Sequence, residues 1–190
     1  MRALHPIEAR SYQILRARVD TSGLPPLTRA VVERVIHASA DVGYRDDVVV
    51  SGEDDLAAAA RALRHGAPVV ADARMVAAGI TSLRCVCRIG QTPARDGLTR
   101  SAAAVRLAYD EVGPGAVWAI GNAPTALEEL LRLDARPALV VGLPVGFVGA
   151  VEAKQALRES ELPSVTNVSE KGGSAVAAAA VNALLYAVAP

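Results

Sequence analysis

The sequence predicts an α/β fold in which a mostly parallel sheet is covered by helices on both faces. Two observations carry this. Short apolar runs of strand length alternate along the chain with helical patterns of about ten residues or more. The runs Ala138–Leu143 and Ser164–Val168 each stop in a small-residue turn that leads straight into a helical pattern, as in successive parallel strands joined by crossover helices. With 190 residues and no obvious linker, a single domain over residues 1–190 is expected.

The first helix opens at Pro6, a favoured first helical position. Ile7, Ile14, Leu15 and Val19 supply its apolar stripe, and Ser11 shares that face. After the turn Ser22–Pro26, a second helix runs to about Ser39, with Leu27, Val31, Val35 and Ala38 on one face. Arg29, Glu33 and His37 are spaced as a polar stripe, which alone reads as a solvated face. His37 also has a carboxylate one turn before it and lies in the last helical turn. Both effects raise an imidazole pKa and suit His37 to donating a proton. His5 and His65 read as structural residues at helix ends.

Asp47–Val50 reads as a short buried strand, and Ser51–Asp54 as a capping box opening a helix over Glu53–His65, closed by Gly66. Pro68–Asp72 is the next strand, with Asp72 capping the short turn Ala73–Val76. Cys85–Ile89 reads as a third strand. Its two cysteines, two residues apart, are simple strand residues. Gln91–Leu98 is loop, and Thr99 caps a helix from Arg100 to Glu111. Arg100 sits at the positive end of that helix dipole, against local preference, a conflict that a bound anion would remove. Ala116–Ile120 is a strand, followed by a turn in which Asn122 is either a cap or a hydrogen-bonding group, and by a helix from Pro124 to Leu133. The strands Ala138–Leu143 and Ser164–Val168 follow, each with its helix.

The turns after these two strands are rich in small residues. Gly142, Gly146 and Gly149 occupy the first, and Lys171, Gly172, Gly173 and Ser174 the second. Two helix starts on neighbouring parallel strands open on one edge of the sheet, where free N–H groups bind anions.

Composition excludes several classes. Net charge is zero and aromatics are scarce, which argues against nucleic-acid binding. No dinucleotide or P-loop glycine pattern is present, and no spaced His/Cys set for a metal. The N-terminus has no apolar signal region and no run is long enough for a membrane span, so the expected location is cytoplasmic.

Seven blocks in order, HPIEARSYQILR, LTRAVVERVIHASAD, MVAAGI, TRSAAA, GNAPTAL, GLPVGFVGAVEAK and KGGSAVAAAAVNAL, resemble the precorrin-8X methylmutase family of cobalamin biosynthesis. The resemblance implies a three-layer α/β/α sandwich and an isomerase that moves a methyl group from carbon 11 to carbon 12 of a corrin precursor. Precorrin-8X thereby becomes hydrogenobyrinic acid, without cofactor, metal or methyl donor. It implies a homodimer whose two chains build a site together. On this basis His37, Ser11 and Arg100 are expected to be catalytic. Arg10, Thr81, Asn122, Gly142, Gly146, Gly149, Lys171, Gly172, Gly173 and Ser174 are expected to bind substrate. One departure is Glu170, where the family often has Arg before the lysine. The alternatives are a cobalt-bearing substrate, as in the anaerobic branch, and a non-catalytic tetrapyrrole carrier. A nucleotide-binding enzyme using the KGGS turn for phosphate is a third.

Overall fold

The computed structural model describes residues 5–91 and 97–187. Most of the Gln91–Leu98 loop and the first residues of the chain therefore lie outside the described residues. The helices are α1 (Pro6–Arg18), α2 (Pro26–Ser39), α3 (Tyr44–Asp47), α4 (Glu53–Arg64), α5 (Arg74–Gly79), α6 (Arg100–Val112), α7 (Pro124–Arg132), α8 (Ala150–Glu159) and α9 (Ser174–Ala187). The strands are β1 (Val48–Val50), β2 (Val69–Ala71), β3 (Val117–Ile120), β4 (Leu139–Gly142) and β5 (Ser164–Asn167).

The sheet has the order β1-β5-β4-β3-β2, with β2 to β5 parallel and β1 antiparallel at one edge. Side chains alternate across it. Val117 and Ala119 of β3 face one layer and Trp118 and Ile120 the other. The second layer is α6, α7 and α8, which contribute Val105, Leu127, Leu130 and Leu157. Because β2 to β5 follow one another in sequence order, same-handed crossovers put α6, α7 and α8 on one face. The opposite face is covered by α2, α4, α5 and α9. The three-layer α/β/α architecture follows. α9 is apolar all round, with every residue from Val176 to Leu184 buried, so it lies inside its layer between sheet and α2 rather than on the surface.

Three expectations need correction. Of the apolar stripe of α1 only Leu15 is buried, and Ile7 and Ile14 are 74% and 42% exposed because no described element packs over them. Cys85–Ile89 is not a strand. Only Val86 pairs with β2, through reciprocal backbone bonds with Ala71 and Val69. Ser51–Asp54 is not a capping box, since α4 has Gly52 at its N-cap with no side-chain cap. Glu53 instead caps α2 from outside, accepting from the Leu27 and Thr28 amides (2.6 and 3.0 Å) and from Thr28 Oγ1 (2.8 Å). Among the described residues no helix is long and apolar enough to cross a membrane.

Candidate active site

At the carboxyl edge of the parallel strands, β4 leads to α8 on one face and β5 leads to α9 on the other. Loops that part in this way are where open α/β sheets hold ligands. Both are tied at their base. Gly173 N donates to the Leu143 carbonyl (2.9 Å) and Gly146 N to that of Glu170 (3.2 Å). A side chain on Gly172 would strike the Leu143 carbonyl, so only glycine lets the loops meet this closely. The Gly173 amide expected to be free for an anion is thus spent within the protein.

The C-terminal end of α2 reaches the same edge. Asp41, four residues beyond His37, holds the Lys171 ammonium at 2.7 Å. That hydrogen bond raises the Lys171 pKa and holds the Asp41 carboxyl below the usual carboxylate range. Lys171, expected to bind substrate, is therefore already paired within the protein.

Ser11 and His37 come together between α1 and α2. Ser11 Oγ is 2.8 Å from His37 Nδ1. The Tyr12 ring stacks on the imidazole, with centroids 5.2 Å apart and planes within 17°. Burial raises the Tyr12 phenol pKa, and its oxygen accepts from Arg34. With Nδ1 engaged by Ser11, Nε2 has no partner among the described residues. Glu33, expected to support His37, turns away from it. Its buried carboxylate accepts from Arg16 (2.7 and 3.0 Å), Arg29 (2.8 Å) and Thr21 (2.6 Å). Burial opposes ionisation there, but these bonds outweigh it and hold its pKa at about 2.

Arg100 is the first residue of α6, whose N-cap Thr99 accepts from Ala102 N. Thr99 Oγ1 also lies 2.8 Å from Thr125 Oγ1, which sets the start of α6 beside that of α7. Asn122 is not a cap; Ala123 holds that position, and the Asn122 side chain is exposed at the edge. The turn is shaped instead by Asp72, which accepts from the amides of Gly121, Asn122 and Ala123 (2.9–3.0 Å) rather than capping its own turn. Burial nevertheless raises the Asp72 pKa.

The remaining expected residues are more scattered. Gly142 ends β4 inside the protein, where a Cβ would come within 2.5 Å of Leu157. Its smallness serves packing under α8. Gly149 is the left-handed N-cap of α8. Ser174 opens α9, and its hydroxyl is buried with no hydrogen bond among the described residues. Arg10 is exposed on α1 and bonds Gln13. Thr81 bonds Tyr186 (3.1 Å), a dozen residues and about 18 Å along α9 from Ser174.

Reading the sequence missed Lys154, Asp47 and Asn167. Lys154 is wholly buried. The signal was present: it falls on the apolar stripe of α8 with Ala150, Ala153 and Leu157. Among the described residues, no three His, Cys, Asp or Glu side chains are gathered to hold a metal ion.

The family model described as Precorrin-8X methylmutase matches residues 6–187. The chain is 41% identical to a Cobalt-precorrin-8 methylmutase of Salmonella typhimurium over 95% of its length and 93% of the relative. It is 43% identical to a Precorrin-8X methylmutase of Sinorhizobium, covering 94% and 92%. The crystal structure of a precorrin-8x methyl mutase from Thermus thermophilus superposes with a TM-score of 0.85 at 37% identity, covering 96% of each chain. Matched over nearly its whole length in sequence and in fold, the chain belongs to the precorrin-8X methylmutase family.

Proposed function

We propose that this protein is the isomerase that converts precorrin-8X to hydrogenobyrinic acid in cobalamin biosynthesis. In this reaction the bond from the methyl group to carbon 11 breaks and that to carbon 12 forms. The shift is intramolecular, so no electrons enter or leave and no co-reactant is consumed. What it needs from the protein is tight placement of the macrocycle and polarisation of its conjugated system.

The observation that carries this reading is the Ser11–His37 pair. With Nδ1 occupied by Ser11, Nε2 of His37 presents a proton to a ring nitrogen near the migrating methyl. In this reading Tyr12 fixes the plane of the imidazole through stacking. Arg100, Asn122, Lys171 and the edge loops face the substrate's peripheral carboxylates, with arginine suited to gripping them in a fork.

The working form is a homodimer in this proposal. Exposed Ile7 and Ile14 flank Ser11 on α1 and, with Pro6 and Arg10, line a shallow apolar depression. A second chain there would cover this surface and close the site around Ser11 and His37.

The test is to add the purified protein to metal-free precorrin-8X and follow the visible spectrum. Freeing carbon 11 lengthens the conjugated path, so absorption moves to longer wavelength with turnover. An unchanged spectrum with this substrate sinks the metal-free assignment. The relatives named for the cobalt-bearing and the metal-free substrates are about equally similar to this chain, at 41% and 43% identity. The same assay with cobalt-precorrin-8 therefore decides the branch, and binding without turnover of either identifies a carrier.

A further inference from the structure

Lys154 is the one lysine on the buried stripe of α8, and it is wholly enclosed. Its ammonium has three N–H groups and three acceptors: Asn167 Oδ1 (3.0 Å), the Lys171 carbonyl (2.7 Å) and the Ser169 carbonyl. Asn167 in turn donates through Nδ2 to Asp47 Oδ2 (2.9 Å) and to the Lys171 carbonyl (3.0 Å). Asp47 closes the set by accepting from the Val168 and Ser169 amides and from Ser169 Oγ (2.6–3.0 Å). A buried cation and a half-buried anion are thus joined through one amide side chain, and both grip the turn between β5 and α9.

This grip fixes the direction of the turn's peptide groups. In a trans peptide the C=O and N–H point in opposite directions. The carbonyls of Ser169 and Lys171 point inward to Lys154, so the N–H groups of Glu170 and Gly172 point outward. Neither amide has a partner among the described residues. We propose that Lys154 is a positioning residue that aims the Glu170 and Gly172 amides at a carboxylate of the substrate. This rests on the reading of the site given above. It also bears on the departure at position 170, because the backbone N–H of Glu170 supplies a donor there whatever side chain it carries.

A protonated Lys154 satisfies all three acceptors, whereas the neutral amine has only two N–H groups and releases one. Burial pushes the Lys154 pKa down to about 8. The charged groups facing it are Asp47, Arg158 and Glu170. Burial works against the Asp47 charge, but hydrogen bonds from Ser169 and Asn167 hold its pKa below the ordinary value. Lys171, held by Asp41, is raised above the lysine value. Neither changes charge near pH 8.

The experiment combines amide NMR with kinetics. In the wild-type protein the Glu170 and Gly172 resonances are expected to titrate together near pH 8, and KM for precorrin-8X to rise roughly tenfold across the same interval. Lys154→Met is expected to show the raised KM at all pH values, with kcat little changed. The wild-type titration needs no variant to fold. Amides that stay put overturn the proposal. So do amides that move while KM is constant, since Lys154 is then structural only. A wild-type protein with no turnover refutes the functional reading instead. A binding titration with precorrin-8X across the same pH interval then decides: an affinity that falls as the two amides move upholds the proposal, and any other result overturns it.

Discussion

Ser11 Oγ and His37 Nδ1 lie 2.8 Å apart although 26 residues separate them in the chain. The contact engages one ring nitrogen and leaves the other without a partner among the described residues. His37→Ala is expected to keep substrate affinity and lose kcat by roughly 10²-fold or more, because it removes the proposed proton donor. Ser11→Ala keeps the donor but loosens its orientation, so a smaller loss of about tenfold is expected. Single-turnover kinetics beside a binding titration separate the two effects. Equal kcat in His37→Ala and wild type would mean that placement alone drives the shift.

Glu33 is expected to make the protein acid-sensitive. Its folded pKa of about 2 lies below the ordinary 4.5, so the unfolded chain binds this proton more tightly. The resulting stability is fully present above pH 4.5 and is lost as pH falls toward 2. It amounts to about 3 kcal/mol. Urea unfolding at pH 7 and pH 3 should show a larger acid loss in wild type than in Glu33→Gln. Equal losses would place the acid sensitivity in other carboxylates.

The layers, the parallel sheet and nearly every helix start were legible in the sequence, because they rest on local periodicity and capping. Thr99 capping α6 and Pro6 opening α1 are read within a few residues. What was not legible is set by contacts between distant segments. Glu53 looks like part of a local cap but caps α2. Asp72 looks like a cap for its own turn but shapes the one after β3. Glu33 stands one turn from His37 yet finds two arginines and a threonine. Each carboxylate goes where the most donors converge, which depends on the packed fold. The Ser11–His37 pair was half legible: the sequence put both on helices, and only packing of α1 on α2 joins them.

The two central glycines of the KGGS turn differ in what they tolerate. A methyl group on Gly172 would strike the Leu143 carbonyl and lie 2.7 Å from that of Pro144. Gly173 has open space, though its φ of 126° is unfavourable for any other residue. Gly172→Ala is expected to cost about 3 kcal/mol and Gly173→Ala about 1 kcal/mol. Thermal unfolding of the two variants gives the order. The reverse order would mean that the loops do not meet at Gly172 as described.

Glu53 supplies the N-terminal cap of α2 from another element. Glu53→Ala should lower stability by about 1–2 kcal/mol, the usual cost of a lost cap. Because the cap is at the opposite end of α2 from His37, KM and kcat in the folded variant should stay as in wild type. A changed kcat with unchanged stability would assign Glu53 to the site rather than to the helix.

Ile7 and Ile14 separate the demands of the single chain from those of a dimer. Both are exposed in the protomer, so replacing either by Asp should change protomer stability by no more than about 0.5 kcal/mol. In a two-fold dimer packed through α1 each substitution acts twice. Every isoleucine left uncovered forfeits about 1.5–3 kcal/mol of burial, and the added charge must be desolvated. Ile7→Asp and Ile14→Asp should therefore sediment as folded monomers at concentrations where the proposed wild-type dimer forms. If Ser11 and His37 need the second chain to close their site, turnover should fall with the dimer fraction and return at high protein concentration. Variants that remain dimeric and active would place the interface elsewhere and leave the apolar face of α1 to the substrate.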